Sequence, residues 1–188
     1  MPETSEVIIS GFGGQGTLFA GQILAYTGME AGKHVTWIPS YGPEMRGGKA
    51  RCTVVISDQE IGSPIVREPT SAIVMNIPSM EAYEPAVKPG GTLIVNSSLI
   101  DLISSREDIT VIYVPATQMA AEMGTTRVAN MILLGAWSVA TGVLTIPQLA
   151  KTLVDHLPPE KQRFVQINRK ALRLGSAVAE SQLETVAA

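Results

Sequence analysis

Cysteine occurs once and histidine twice in 188 residues, and each shortage excludes some chemistry. A lone Cys52 cannot form an internal disulfide or hold an iron–sulfur cluster. His34 and His156 are too far apart in sequence to form a recognisable zinc-site spacing. Charge is scarce too. Asp, Glu, Lys and Arg make up 16% of the chain, against about 25% in ordinary soluble domains. The net charge is −3, which gives no electrostatic footprint for DNA or RNA. The start, Met-Pro-Glu-Thr-Ser-Glu, is acidic where a secretory signal is basic. An unpaired cysteine suits a reducing compartment, so a cytoplasmic protein is expected.

Two runs of 23 residues, 7–29 and 128–150, carry no charge at all. That is long enough to test as membrane spans. The first contains four glycines around Gln15, and the second contains Asn130, Pro147 and Gln148. Both read as buried elements, and no membrane span is expected. With 45% apolar residues, a chain of this length can bury a sizeable core. The low charge then has two readings: the core is large, or part of the surface is made for a partner.

The punctuation of the chain predicts one α/β domain over residues 1–188. Its expected architecture is three-layer α/β/α with a mostly parallel, Rossmann-like sheet and a tail frayed from about residue 180. Val7, Ile8 and Ile9 form a short buried strand, residues 17–31 a helix closed by Gly32, and residues 34–38 a second strand. This β–loop–α–β order is how a doubly wound sheet begins. Further strands are expected at 50–57, 72–76, 92–96 and 109–114, with an edge segment at 61–64. Helices are expected at 79–87, from Pro115, at 127–141, from a Thr145 cap to His156, and from Pro158 to about Ala179.

Chemistry concentrates in two loops. Gly11-x-Gly13-x-x-Gly16 follows a strand and opens a helix, the context in which G-x-G-x-x-G cradles phosphate. An NAD site also needs an acid near the end of the second strand. Thr36-Trp37-Ile38 supplies none, and Gly14 and Gln15 lie outside that pattern. The turn therefore reads either as an anion contact or as a tight strand–helix turn packed on another protein surface. The second loop, Ser40-Tyr41-Gly42-Pro43-Glu44-Met45-Arg46-Gly47-Gly48, precedes Lys49 and Arg51. It gathers three cations within six positions of a charge-poor chain. Arg46 has the planar fork that suits phosphate or carboxylate, with Glu44 placed to orient it. In a doubly wound sheet both loops lie at the carboxyl edge, where ligands bind.

These two runs resemble the gamma subunit of the 2-oxoacid:ferredoxin oxidoreductases. The resemblance continues in order through Met75-Asn76-x-Pro78-Ser79, Val87-Lys88-Pro89-Gly90-Gly91, Val95-Asn96-Ser97-Ser98, Pro115-Ala116-Thr117 and Asn130-Met131-x-Leu133-Leu134-Gly135. It implies a subunit of a complex that oxidatively decarboxylates a 2-oxoacid, forms acyl-coenzyme A and reduces ferredoxin. It implies no cofactor held by this chain alone. Thiamine diphosphate, Mg and iron–sulfur clusters would belong to alpha, beta and ferredoxin-like delta subunits, with coenzyme A shared. The candidate cofactor-binding residues are Gly11, Gly13, Gly14, Gln15, Gly16, Tyr41, Glu44, Arg46, Gly47 and Asn76, and no catalytic or metal residue is expected. Asn76 and Asn96 read first as caps and turn formers. Asn130 is either structural glue or an edge contact. A surface made for partners would also favour a homodimer of the isolated chain. The competing function is a free-standing nucleotide- or coenzyme-binding module.

Overall fold

In the computed structural model, residues 4–41 and 48–187 are described. Six strands form one sheet: β1 (Thr4–Phe12), β2 (His34–Tyr41), β3 (Lys49–Ser57), β4 (Ser71–Val74), β5 (Thr92–Asn96) and β6 (Thr110–Val114). The helices are α1 (Thr17–Glu30), α2 (Ile77–Tyr83), α3 (Ala116–Glu122), α4 (Ala129–Thr141), α5 (Ile146–His156) and α6 (Val165–Ala187). Single 3-10 segments at Thr126–Val128 and Pro159–Phe164 lead into α4 and α6.

The strand order is β2-β3-β1-β4-β5-β6. β1, β4, β5 and β6 pair in parallel, while β3 is antiparallel to both of its neighbours. Five strands therefore point one way, and β3 returns between β1 and β2. The expected doubly wound opening is modified by this insertion. β2 and β3 pair as the arms of a hairpin, and the start of β3 lies at the carboxyl edge, where Gly48 O accepts from Gly13 N in the turn after β1. Residues 61–64 form no strand.

Alternation along the strands separates two cores. Val7, Ile9, Cys52, Val54, Ile56, Ile73 and Ile94 face the helical side, and Ala72, Val74, Leu93 and Val95 face the other. The layers are unequal. α4 is buried along residues 129–138, which is why its sequence is apolar all round. Trp137, 0% exposed, donates from Nε1 to Ser71 Oγ at 2.8 Å. α1, α3, α5 and α6 pack about α4 and the sheet on that side. The opposite face carries one helix among the described residues, α2, with Val87 and Ile100 filling around it. Arg106 closes the end of α2. Its guanidinium donates to the Glu84 and Val87 carbonyls, both at 2.7 Å, and pairs with Asp108.

Local signals act where the sequence placed them. Thr145 and Gln148 form a capping box at the start of α5. α6 continues through the segment expected to fray, to Ala187. The Gln182 amide explains the continuation: it accepts from Tyr113 N at 3.1 Å and donates to Tyr113 O at 2.6 Å. Those two groups lie on the outer edge of β6, where an unpaired strand exposes its backbone.

α1 and α5 are joined by a polar cluster around Glu30. The His156 ring bonds the Glu30 carboxylate at 2.6 Å and stacks on Tyr26. Thr152 donates to Glu30 at 3.1 Å, and Lys151 lies 3.7 Å away. Desolvation pushes the Glu30 carboxyl upward. The His156 and Thr152 hydrogen bonds and the charges of Lys151 and His156 outweigh it, so the pKa is held below the usual carboxylate value. A depressed carboxyl stabilises the fold above its unfolded pKa, and the gain disappears as pH falls through the folded value. Urea midpoints of the wild type should therefore exceed those of Glu30→Gln at pH 7 by a modest margin, about 1 kcal/mol or less for a partly exposed pair. The margin should shrink as pH falls through the depressed folded pKa and vanish once Glu30 is protonated in both states; a margin unchanged from neutral to strongly acid pH contradicts the assignment.

Candidate functional site

The turn after β1 is braced from three sides. Gln15 accepts from Phe12 N through Oε1 at 2.6 Å and donates from Nε2 to Met75 O at 3.3 Å. Gly13 N donates to Gly48 O at 2.9 Å, tying the turn to the β2–β3 hairpin. Asn130, at the start of α4, donates from Nδ2 to Gly16 O at 3.0 Å. Gly14 and Gly16 have φ of 98° and 77°, conformations that glycine alone adopts without cost. A Cβ on Gly16 would also overlap the Asn130 amide. Gly16 stands at the N-cap of α1, and no side chain caps this helix. Its first-turn N–H groups are therefore available to a ligand or partner.

Against this turn lies a cleft of about 640 Å³, lined by Phe12, Gly14, Thr17, Leu18, Tyr41 and Lys49 among others. A second hollow of about 310 Å³ opens on the other side of the same edge, with Ser10, Arg51, Asn76, Ser79 and Tyr83 in its wall. Tyr41 and Lys49 border both. Tyr41 is 69% exposed, an unusual state for a large aromatic and one suited to a surface that another molecule covers. Arg51 donates to the Tyr83 hydroxyl at 3.1 Å.

The site residues expected from sequence separate into three groups. Gly13, Gly14, Gly16 and Tyr41 line the larger cleft, while Gly11 continues β1 and pairs with Ala50. Gln15 and Asn76 have structural tasks as well. Gln15 props the turn, and Asn76 Oδ1 caps α2 by accepting from Ser79 N at 2.9 Å. Glu44, Arg46 and Gly47 lie outside the described residues. Asn96 holds the start of α3 through Thr117, and Asn130 clamps the glycine turn as glue. Burial pushes the Cys52 thiol up to about 12, which fits a small packing residue. Phe12, Leu18, Ser79 and Tyr83 were not singled out, whereas Lys49 was, as one of the three cations that follow the second loop. Only the antiparallel register, which sets Lys49 opposite Phe12 and Arg51 opposite Ser10, brings several of them to the edge. Among the described residues no three His, Cys, Asp or Glu side chains are grouped to hold a metal, and no helix is long and apolar enough to cross a membrane.

The carboxyl edge of this open α/β sheet thus combines a glycine turn, an uncapped helix and an apolar cleft. Comparison with known proteins makes the class specific. The model of the pyruvate ferredoxin/flavodoxin oxidoreductase family matches residues 6–178, and the chain belongs to this family. It is 38% identical over 162 residues to the 2-oxoglutarate synthase subunit KorC of Methanothermobacter marburgensis, covering 82% of this chain and 87% of that one. It is 37% identical over 186 residues to the ketoisovalerate oxidoreductase subunit VorA of the same organism, where it spans 97% of itself but 38% of the relative. The crystal structure of a keto/oxoacid ferredoxin oxidoreductase gamma subunit from Geobacter sulfurreducens superposes with a TM-score of 0.80 at 30% identity, over 94% of this chain and 99% of that one.

Proposed function

We propose that this chain is the gamma-type subunit of a multi-subunit 2-oxoacid:ferredoxin oxidoreductase and supplies part of the coenzyme A side of its active site. The complex converts a 2-oxoacid and coenzyme A to acyl-coenzyme A and carbon dioxide, and the two electrons released reduce ferredoxin. The observation that carries the reading is the Gly13–Gly48 tie, which joins the glycine turn to the start of β3 beside an apolar cleft. Coenzyme A combines phosphates with a long weakly polar arm. The uncapped N–H groups of α1 and the cations Lys49, Arg51 and Arg46 suit the phosphates. Phe12, Leu18 and Tyr41 suit the arm.

The alpha and beta subunits, and a ferredoxin-like delta subunit, hold thiamine diphosphate and the clusters in this reading. The donor set agrees, since a single cysteine cannot ligate a cluster. This chain's residues bind and orient rather than move protons. Gln15 and Asn130 hold the turn in shape. The exposed Tyr41 and Phe12 exclude water where a catalytic subunit closes over the edge.

The test is Arg46→Ala and Lys49→Ala in the assembled complex. A charge-assisted contact is worth about 1.5–3 kcal/mol, so the KM for coenzyme A should rise about tenfold or more, or the yield of complex should fall. If neither quantity changes in either variant, the proposal is wrong.

A further inference from the structure

The outer face of α6 has an order of charge that the monomer does not use. Gln166, Lys170, Arg173, Ala177, Glu180 and Glu184 are all exposed and recur at alternating spacings of four and three residues, which places them on one straight stripe. Read along the helix, the stripe is neutral, positive, positive, small, negative, negative. The order is the reverse of what a helix prefers for itself, because acids favour the amino end and bases the carboxyl end. It also sets like charges four residues apart, Glu180 with Glu184 and the flanking Arg169 with Arg173, pairs that disfavour an isolated helix.

No residue of α6 takes part in an ion pair among the described residues, whereas Lys33, Lys88, Arg106 and Lys151 all do. Arg169 Nε is shielded from water and has no hydrogen-bond partner. Surroundings extend both ends of the pattern. Lys161 and Arg163 are exposed in the turn just before α6, and Glu107 and Asp108 border the hollow beside Ser181 and Thr185.

We infer that this stripe is a self-complementary docking surface for a second copy of the chain, with the two α6 helices antiparallel about a two-fold axis at Ala177. Reversing one helix against another about that point sets Lys170 opposite Glu184 and Arg173 within one residue of Glu180, twice by symmetry. A two-fold interface requires this kind of self-match, in which one patch meets itself. Ala177 at the centre is the smallest side chain of the stripe and lets the helices approach. Every charge of the stripe then faces its opposite. Charge complementarity of this type chiefly sets register and partner choice, so the contact should weaken with salt. The surface is separate from the carboxyl edge, and its fate does not depend on the coenzyme A reading.

The test is sedimentation of the full chain at low and high ionic strength. The wild type should self-associate at low salt and dissociate as salt is raised. Lys170→Glu/Arg173→Glu makes the stripe uniformly acidic, and Glu180→Lys/Glu184→Lys makes it uniformly basic. Each variant alone should associate more than tenfold more weakly than the wild type, and an equimolar mixture of the two should associate again. Ala177→Cys supplies a second measurement on an unaltered charge pattern. Mild oxidation should link two copies through this position, while Gln166→Cys, distant from its own image, should not cross-link. Cys52 does not interfere, being fully buried. A wild type that stays monomeric at low salt, variants that associate as the wild type does, or a mixture that fails to recover would each overturn the inference. None of these outcomes bears on the KM for coenzyme A, so the two proposals fail separately.

Discussion

Gly175→Ala should lower the melting temperature by about 10 °C. α4 and α6 cross through a reciprocal pair of glycines. A Cβ on Gly175 would overlap the Ile132 carbonyl oxygen, and a Cβ on Gly135 would overlap that of Leu172. Each helix thus offers a glycine to the carbonyl three residues before the other's glycine. The obstacle is backbone, and a helix carbonyl cannot move aside without losing its own hydrogen bond. Overpacking costs typically 1–3 kcal/mol and more where nothing can yield. Alanine's better helix propensity returns about 1 kcal/mol. With both contacts against backbone that cannot yield, the cost lies above that range, about 4 kcal/mol, leaving a net loss of about 3 kcal/mol, or roughly 6–12 °C in a domain of this size. The two effects have opposite signs, which makes thermal denaturation decisive. A melting temperature that rises would mean the helices do not cross this closely.

The second large effect is expected at Gly16. Gly16→Ala forces an L side chain into a left-handed conformation, at about 1–2 kcal/mol. It also drives the new methyl into the Asn130 amide. Asn130 can swing away, unlike a backbone carbonyl, but only by giving up its bond to Gly16 O and leaving a buried amide unsatisfied, at about 1–3 kcal/mol. The glycine turn and the start of α1 would then lose their common clamp. Stability should fall by about 2–4 kcal/mol, and assembly or coenzyme A affinity should fall with it. Coupling separates this account from simple strain. In the double variant Gly16→Ala/Asn130→Ala the losses should be clearly less than additive, because the clash disappears with the amide. Strict additivity in chemical denaturation would show that the two residues do not act together.

Much of this was legible in the chain. The glycine turn, Thr145 and its Gln148, Asn76 before a proline, and the charge-free run of α4 each carry a local signal whose physical cause lies within a few residues. The insertion of β3 was not legible. Alternation in residues 49–57 gives a strand but no direction, since period two is the same read either way. Its direction depends on which neighbours it meets, which is a property of the sheet. The same gap hid part of the candidate site. That register sets Lys49 beside Phe12 and Arg51 beside Ser10, where α2 brings Ser79 and Tyr83 to meet Ser10 and Arg51. The continuation of α6 beyond residue 180 was also missed, because the group that rewards it, the edge of β6, is distant in sequence.

That distance has a consequence during biosynthesis. The Gln182 amide fills the place that one residue of a neighbouring strand would occupy beside Tyr113, and the two are 69 residues apart. While a ribosome makes those 69 residues, Tyr113 has no such partner, and β6 is an open template for another nascent chain. The sheet stops growing only when α6 has wound as far as Gln182. The Gln182 amide thereby covers the outer edge of β6 at Tyr113 only once α6 is in place.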